Sequence, residues 1–142
     1  MDDTTIDRRQ LLLQLKKVDR DVTQLFEKRM DISFTRYEIL MTLRTLGSIP
    51  QKALQQALAI DQAAITRHLK ILEQQLYIVR KRNEENNREV LVSLSETGAA
   101  ALDNCSLFKQ QFLSTLFDEF STEDLQLLQQ FLQRLARNSE QL

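Results

Sequence analysis

The run Leu58-Ala59-Ile60-Asp61-Gln62-Ala63-Ala64-Ile65-Thr66-Arg67-His68-Leu69-Lys70-Ile71-Leu72-Glu73 carries the architecture of the chain. Ala64, Ile65, Leu69, Leu72 and Leu76 fall on one helical face, and Asp61 is a good N-cap for a helix from Gln62 to about Gln75. Just before it, Gln51–Leu58 is a short helix, apolar at Ala53, Leu54, Ala57 and Leu58. Only Ala59-Ile60-Asp61 separates the two, so they form a helix-turn-helix. The period then drops from 3.6 to about 2. Tyr77-Ile78-Val79-Arg80-Lys81-Arg82 and Val90-Leu91-Val92-Ser93-Leu94 read as strands around a polar tip, Asn83-Glu84-Glu85-Asn86-Asn87-Arg88-Glu89. Helix, turn, helix, hairpin is a winged helix.

On either side lie helices. From about Asp7 to Met30, Leu11, Leu15, Val18, Val22 and Leu25 recur at steps of four and three, the seam of a helix that packs along another helix. Thr35 and Glu38 read as a capping box that starts a second helix, apolar at Tyr37, Ile39, Leu40, Leu43 and Leu46 and ended by Gly47. Pro50 suits the first turn of the helix after it. Beyond the hairpin, Ser95 caps a long helix that carries Leu102, Phe108, Phe112, Leu116 and Phe120. Ser121 and Asp124 recap the chain for a last helix striped with Leu125, Leu128, Phe131, Leu132 and Leu135. The expected fold is mainly α with a small β-hairpin wing: a dimerisation helix in 1–32, a winged helix-turn-helix in 33–95, and dimerisation helices in 96–142. Leu11, Leu15, Val18, Phe131 and Leu135 are the expected contacts between two copies.

Composition narrows the function. With 142 residues, 42% hydrophobic and 27% charged, the chain can build one ordinary core. No run approaches the roughly 20 apolar residues of a membrane span, and the acidic start MDDTTIDRRQ is unlike a secretory signal, so a cytoplasmic protein is expected. One histidine, His68, and one cysteine, Cys105, leave little for a metal, a disulfide or nucleophilic catalysis; neither cofactor nor enzyme activity is expected. The formal charge of −1 conceals a segregation. Gln62–Arg82 holds five bases against one acid, whereas Glu96–Leu142 holds seven acids against three bases. A basic middle beside an acidic tail suits one surface that meets a polyanion and another kept from it.

The run quoted at the outset resembles the recognition helix of MarR-family (multiple-antibiotic-resistance) regulators. Asn86-Asn87-Arg88-Glu89-Val90-Leu91-Val92-Ser93-Leu94-Ser95-Glu96-Thr97-Gly98 is similar to the family's wing signature, D-x-R followed by V-x-L-T-x-x-G. Asn86 stands where the family often has aspartate, and Ser95 where it has threonine. The resemblance implies a homodimeric repressor of transcription on an inverted-repeat DNA operator. It also implies a small aromatic or anionic effector in a crevice near Thr35, Arg36, Tyr37 and the end of the first helix. Redox-sensing members carry a reactive cysteine in the first helix; this first helix has none, and Cys105 is read as an idle thiol.

A recognition helix meets double-stranded DNA with its N-terminal residues in the major groove. Here these are Gln62, Ala63, Thr66, Arg67 and Lys70, with Gln62 suited to adenine, Ala63 to a thymine methyl and Arg67 to guanine. Arg88 at the wing tip suits the minor groove. Gln51, Lys52, Arg80 and Arg82 are candidate phosphate contacts, with Lys81 on the opposite strand face from Arg80 and Arg82. His68 points elsewhere on the helix and reads as structural. A winged helix that binds protein instead of DNA is the rival reading; the basic middle disfavours it.

Overall fold

In a computed structural model the described residues are 5–142. Among the described residues six helices and three strands follow in order: α1 Arg8–Met30, α2 Phe34–Leu46, β1 Ile49–Pro50, α3 Gln51–Leu58, α4 Gln62–Gln74, β2 Ile78–Arg82, β3 Val90–Leu94, α5 Glu96–Leu116 and α6 Thr122–Ser139. The strands make an antiparallel sheet ordered β1-β3-β2. Within the hairpin, Ile78 pairs with Leu94 and Arg82 with Val90. The chain divides into two compact units, the first ending at Ser106 and the second covering Leu107–Leu142.

The first unit holds the core. Ile39, Leu40 and Leu43 of α2, Leu54 of α3, Ile65, Leu69 and Leu72 of α4 and Val92 of β3 are fully buried. Each such side chain contributes about 1.5–3 kcal/mol over its exposed state. Phe26, the one buried residue of α1, makes edge-on contacts with Phe34 (centroids 5.2 Å) and Tyr37 (5.0 Å), which join α1 to α2. In the second unit Phe108 lies 5.8 Å from Phe112, Phe117 stands edge-on to Phe120, and the Arg134 guanidinium lies 5.6 Å from the Phe131 ring centroid.

The expectations for two helix starts change. The N-cap of α2 is Ser33, not Thr35: the Ser33 hydroxyl accepts the Arg36 N–H at 3.1 Å, and Glu27 of α1 accepts the Phe34 N–H at 3.0 Å. With those N–H groups satisfied from outside, the helix begins two residues earlier and Thr35 lies inside its first turn. Pro50 belongs to the short strand β1, paired with Leu91, and stands before α3 rather than inside it. Gly47 does end α2, at φ +76° and ψ −149°, a conformation outside the left-handed helical region. The Ser121–Asp124 capping box is present as read.

Candidate nucleic-acid interface

Helix α4 sorts its residues by face. Ile65, Leu69 and Leu72 are buried, while Gln62, Ala63, Thr66, Arg67 and Lys70 are all exposed. The Asp61 carboxylate accepts the Ala64 N–H at 2.8 Å and fixes the helix start. Among the described residues no ion pair engages Lys52, Arg67, Lys70 or Arg88. Their charge is available to an approaching anion.

The wing is a built turn, not a loose loop. The Asn83 amide donates to Glu89 Oε2 at 3.0 Å, and its Oδ1 accepts the Glu85 N–H at 3.0 Å. Backbone bonds Asn86 N–H to Asn83 O (3.2 Å) and Glu89 N–H to Asn86 O (3.0 Å) close two successive turns. Asn86 Oδ1 accepts the Arg88 N–H at 3.2 Å, so an amide at this position supports the tip through a local turn without carrying charge. Arg82 donates to the Asn87 carbonyl at 3.0 Å, which ties the strand end to the tip. Arg88 is left exposed at the extremity.

Arg80 is placed otherwise. Its Nε and Nη2 grip both carboxylate oxygens of Glu73 at 2.9 and 3.0 Å, bridging β2 to α4. The hydrogen bond from Arg80 holds the Glu73 carboxyl below its usual range, and the same bond raises the Arg80 guanidinium. Arg80 therefore joins wing to helix through a pair that is partly open to solvent.

Between α3, the start of α4 and the wing lies an open cavity of about 710 Å³, lined by Gln51, Lys52, Gln55, Gln62, Asn86, Arg88, Glu89 and Val90. It brings together four of the expected residues, Gln51, Lys52, Gln62 and Arg88, from three separate elements. Gln55, Asn86 and Glu89 are polar lining groups that the sequence does not single out for this surface; Gln55 lies one turn beyond Gln51 on the same helix face, the one signal for it. The lining is mostly polar, with two cations, Lys52 and Arg88, against one anion, Glu89, whose carboxylate accepts the Asn83 amide, a balance that suits a sugar–phosphate strand.

A second, smaller cavity of about 70 Å³ sits among Met30, Asp31, Ile32, Tyr37, Leu40, Gln75, Tyr77, Ala101, Leu102 and Cys105. Of the expected crevice residues it includes Tyr37 and the end of α1, but neither Thr35 nor Arg36. It is several-fold smaller than the roughly 300 Å³ at which small-molecule sites begin. Burial pushes the Cys105 thiol up, away from the reactive thiolate. His68 is half-buried, and its Nδ1 is enclosed with no hydrogen-bond partner among the described residues. Burial, followed by the charges of Arg36 and Arg67, lowers its pKa.

An exposed recognition helix beside a cationic groove, closed by a hairpin tip, defines a winged helix-turn-helix DNA-binding protein. The MarR family model matches residues 32–90. An HTH-type transcriptional regulator of Bacillus subtilis, YdgJ, is 35% identical over 91% of this chain and 79% of its own length. The chain belongs to the MarR family of transcriptional regulators, which are not enzymes. Among solved structures, a mutant MarR of Escherichia coli, crystallised with operator DNA, superposes at a TM-score of 0.75 with 24% identity, covering 92% of this chain and 99% of its own. Bordetella bronchiseptica BpsR, whose DNA binding is regulated by 6-hydroxynicotinic acid, superposes at 0.78 with 19% identity over 89% and 98%. Both share the fold.

Proposed function

We propose that the protein is a cytoplasmic homodimeric repressor of an inverted-repeat operator, released from DNA by a small aromatic or anionic effector. The observation that carries the DNA reading is the exposed α4 face, Gln62, Ala63, Thr66, Arg67 and Lys70, flanking the groove between Lys52 and Arg88. In this arrangement α4 enters the major groove and Arg88 the adjacent minor groove. Gln51, Lys52 and Gln55 face the phosphates between them, while Arg80 and Arg82 act on the wing itself. Residues 33–95 read DNA. The two remaining parts, 1–32 and 96–142, hold the copies together so that the recognition helices lie about 34–36 Å apart, one turn of the duplex. Effector control follows the behaviour of BpsR; a ligand acts by favouring a dimer whose helix spacing the duplex cannot match.

The test is selection of bound duplexes from a random pool, then titration of the selected site against salt. Enrichment of an inverted repeat, with affinity falling steeply as salt rises, is expected. Arg67→Ala should relax base preference at one position per half-site, and Arg88→Ala should weaken all sequences and lower the salt slope by about one. A protein-docking module would enrich no sequence, and that result would end the reading.

A further inference from the structure

The recognition helix carries a polar residue whose polarity is turned inward. Thr66 donates its hydroxyl proton to the Gln62 carbonyl, one turn back in α4, at 2.8 Å. A threonine hydroxyl has one proton, and this one is committed to the helix, so Oγ1 has none to offer a base. The bond also holds the side chain in one rotamer, so what this exposed residue offers an approaching base is its γ-methyl and, as acceptor only, Oγ1. Three positions earlier Ala63, equally exposed, offers only its own methyl. Residues three apart are neighbours on a helix surface, so the two methyls form a small apolar strip. Around it stand the hydrogen-bonding groups of Gln62, Arg67 and Lys70. Among the base edges displayed in the major groove, the apolar feature is the C5-methyl of thymine.

We infer that Thr66 determines specificity through its methyl, and that Ala63 and Thr66 together read a thymine in each operator half-site. The inference rests on the DNA-reading role of α4 and adds to it a named base and the chemical group that selects it. Thr66 distinguishes thymine from the other bases by apolar contact, and its hydroxyl serves the helix.

The experiment uses the full chain and the duplex obtained by selection. Each thymine is replaced singly by deoxyuridine, which keeps every hydrogen-bonding group and loses only the methyl. At one position per half-site the replacement should weaken binding about fourfold, the transfer free energy of one methyl-sized group. In Thr66→Ser, which keeps the hydroxyl and its bond to Gln62 but lacks the methyl, the thymine-to-uracil ratio at that position should fall toward one. In Thr66→Val, which keeps a methyl and lacks the hydroxyl, the ratio should persist; thermal melting of both variants checks that they fold. A selected site with steep salt dependence but no uracil-sensitive thymine, or one equally sensitive in wild type and Thr66→Ser, overturns this inference and leaves the DNA-binding reading standing. Failure to enrich any sequence overturns both.

Discussion

Two residues outside the proposed DNA-facing surface show how narrowly single positions are determined. Gly98 opens α5 against the Tyr77 backbone: a Cβ there would collide with the Tyr77 carbonyl oxygen and come within 2.7 Å of Leu94 Cδ1. The approach is fixed by Ser95, whose N–H donates to the Tyr77 carbonyl at 3.0 Å and whose hydroxyl donates to the Leu76 carbonyl at 2.6 Å while accepting the Gly98 N–H at 3.0 Å. The S-x-x-G spacing is thus a clamp between the end of β3 and the start of β2. Gly98→Ala forces a methyl against backbone that has nowhere to move and should cost about 1–3 kcal/mol in urea unfolding; an unchanged midpoint would mean that the clamp yields. His68 offers a second measurement. Its pKa in the fold lies below the ordinary 6.5, first through burial, then through Arg36 and Arg67, so the unfolded chain takes up the proton first as pH falls. Stability from this site is complete above the ordinary value and is lost as pH drops from there through the folded-state pKa. Urea midpoints from about pH 8 to about pH 5 should therefore fall more in the wild type than in His68→Gln, which has no proton to gain. Parallel curves for the two proteins would refute this account.

At the level of elements, the Glu73–Arg80 bridge sets the wing strand against the recognition helix. Both partners are partly open to solvent, so its loss should cost at most about 1 kcal/mol of stability. Its effect on recognition should be larger. Glu73→Gln loosens the placement of the wing and removes an acid near the DNA-facing surface, so binding to random duplex should tighten at low salt while the advantage of the selected site narrows. Competition titrations measure that ratio, and a ratio equal to wild type would remove Arg80 from the wing's positioning. This bridge also marks where sequence reading stops. The exposed face of α4, the bounds of β3 and the capping box of α6 were legible because period, cap chemistry and turn residues are local properties. The sequence favours Thr35 over Ser33 because Glu27, which accepts the Phe34 N–H, lies on α1. The two-residue strand β1 has no periodicity of its own and exists only as a partner for β3. The Arg80–Glu73 bond is hidden for the same reason: nothing in the strand pattern reveals a carboxylate seven residues back. Gln55 and Asn86 meet the groove only after three elements have converged.

Across the whole molecule, burial is distributed unevenly, and this bears on assembly. Helix α1 buries only Phe26, and Leu11, Leu15 and Val18 are 55%, 41% and 51% exposed. In the second unit α6 buries nothing, and Phe131 and Leu135 are 48% and 53% exposed. Two amphipathic helices of 23 and 18 residues, each with its apolar side open to water, exceed the scattered apolar exposure of a monomer. Under the proposed function a second copy of the chain would cover them and complete a two-fold operator site, and a stable interface of this kind removes about 1,200–2,000 Å² from water. A glutamate placed in such a seam would be buried without a partner, at a cost that association energy cannot absorb. Leu15→Glu and Phe131→Glu should each sediment as single chains at concentrations where the wild type sediments as a pair. Because one recognition helix spans only a few base pairs, both variants should lose the inverted repeat while keeping weak, salt-sensitive binding to any duplex. The thermal midpoint of the wild type should rise with protein concentration, as it must when folding and pairing are linked, and that of the variants should not. A variant that still sediments as a pair would place the interface elsewhere, whereas a single-chain variant that still held the full operator would separate recognition from pairing altogether.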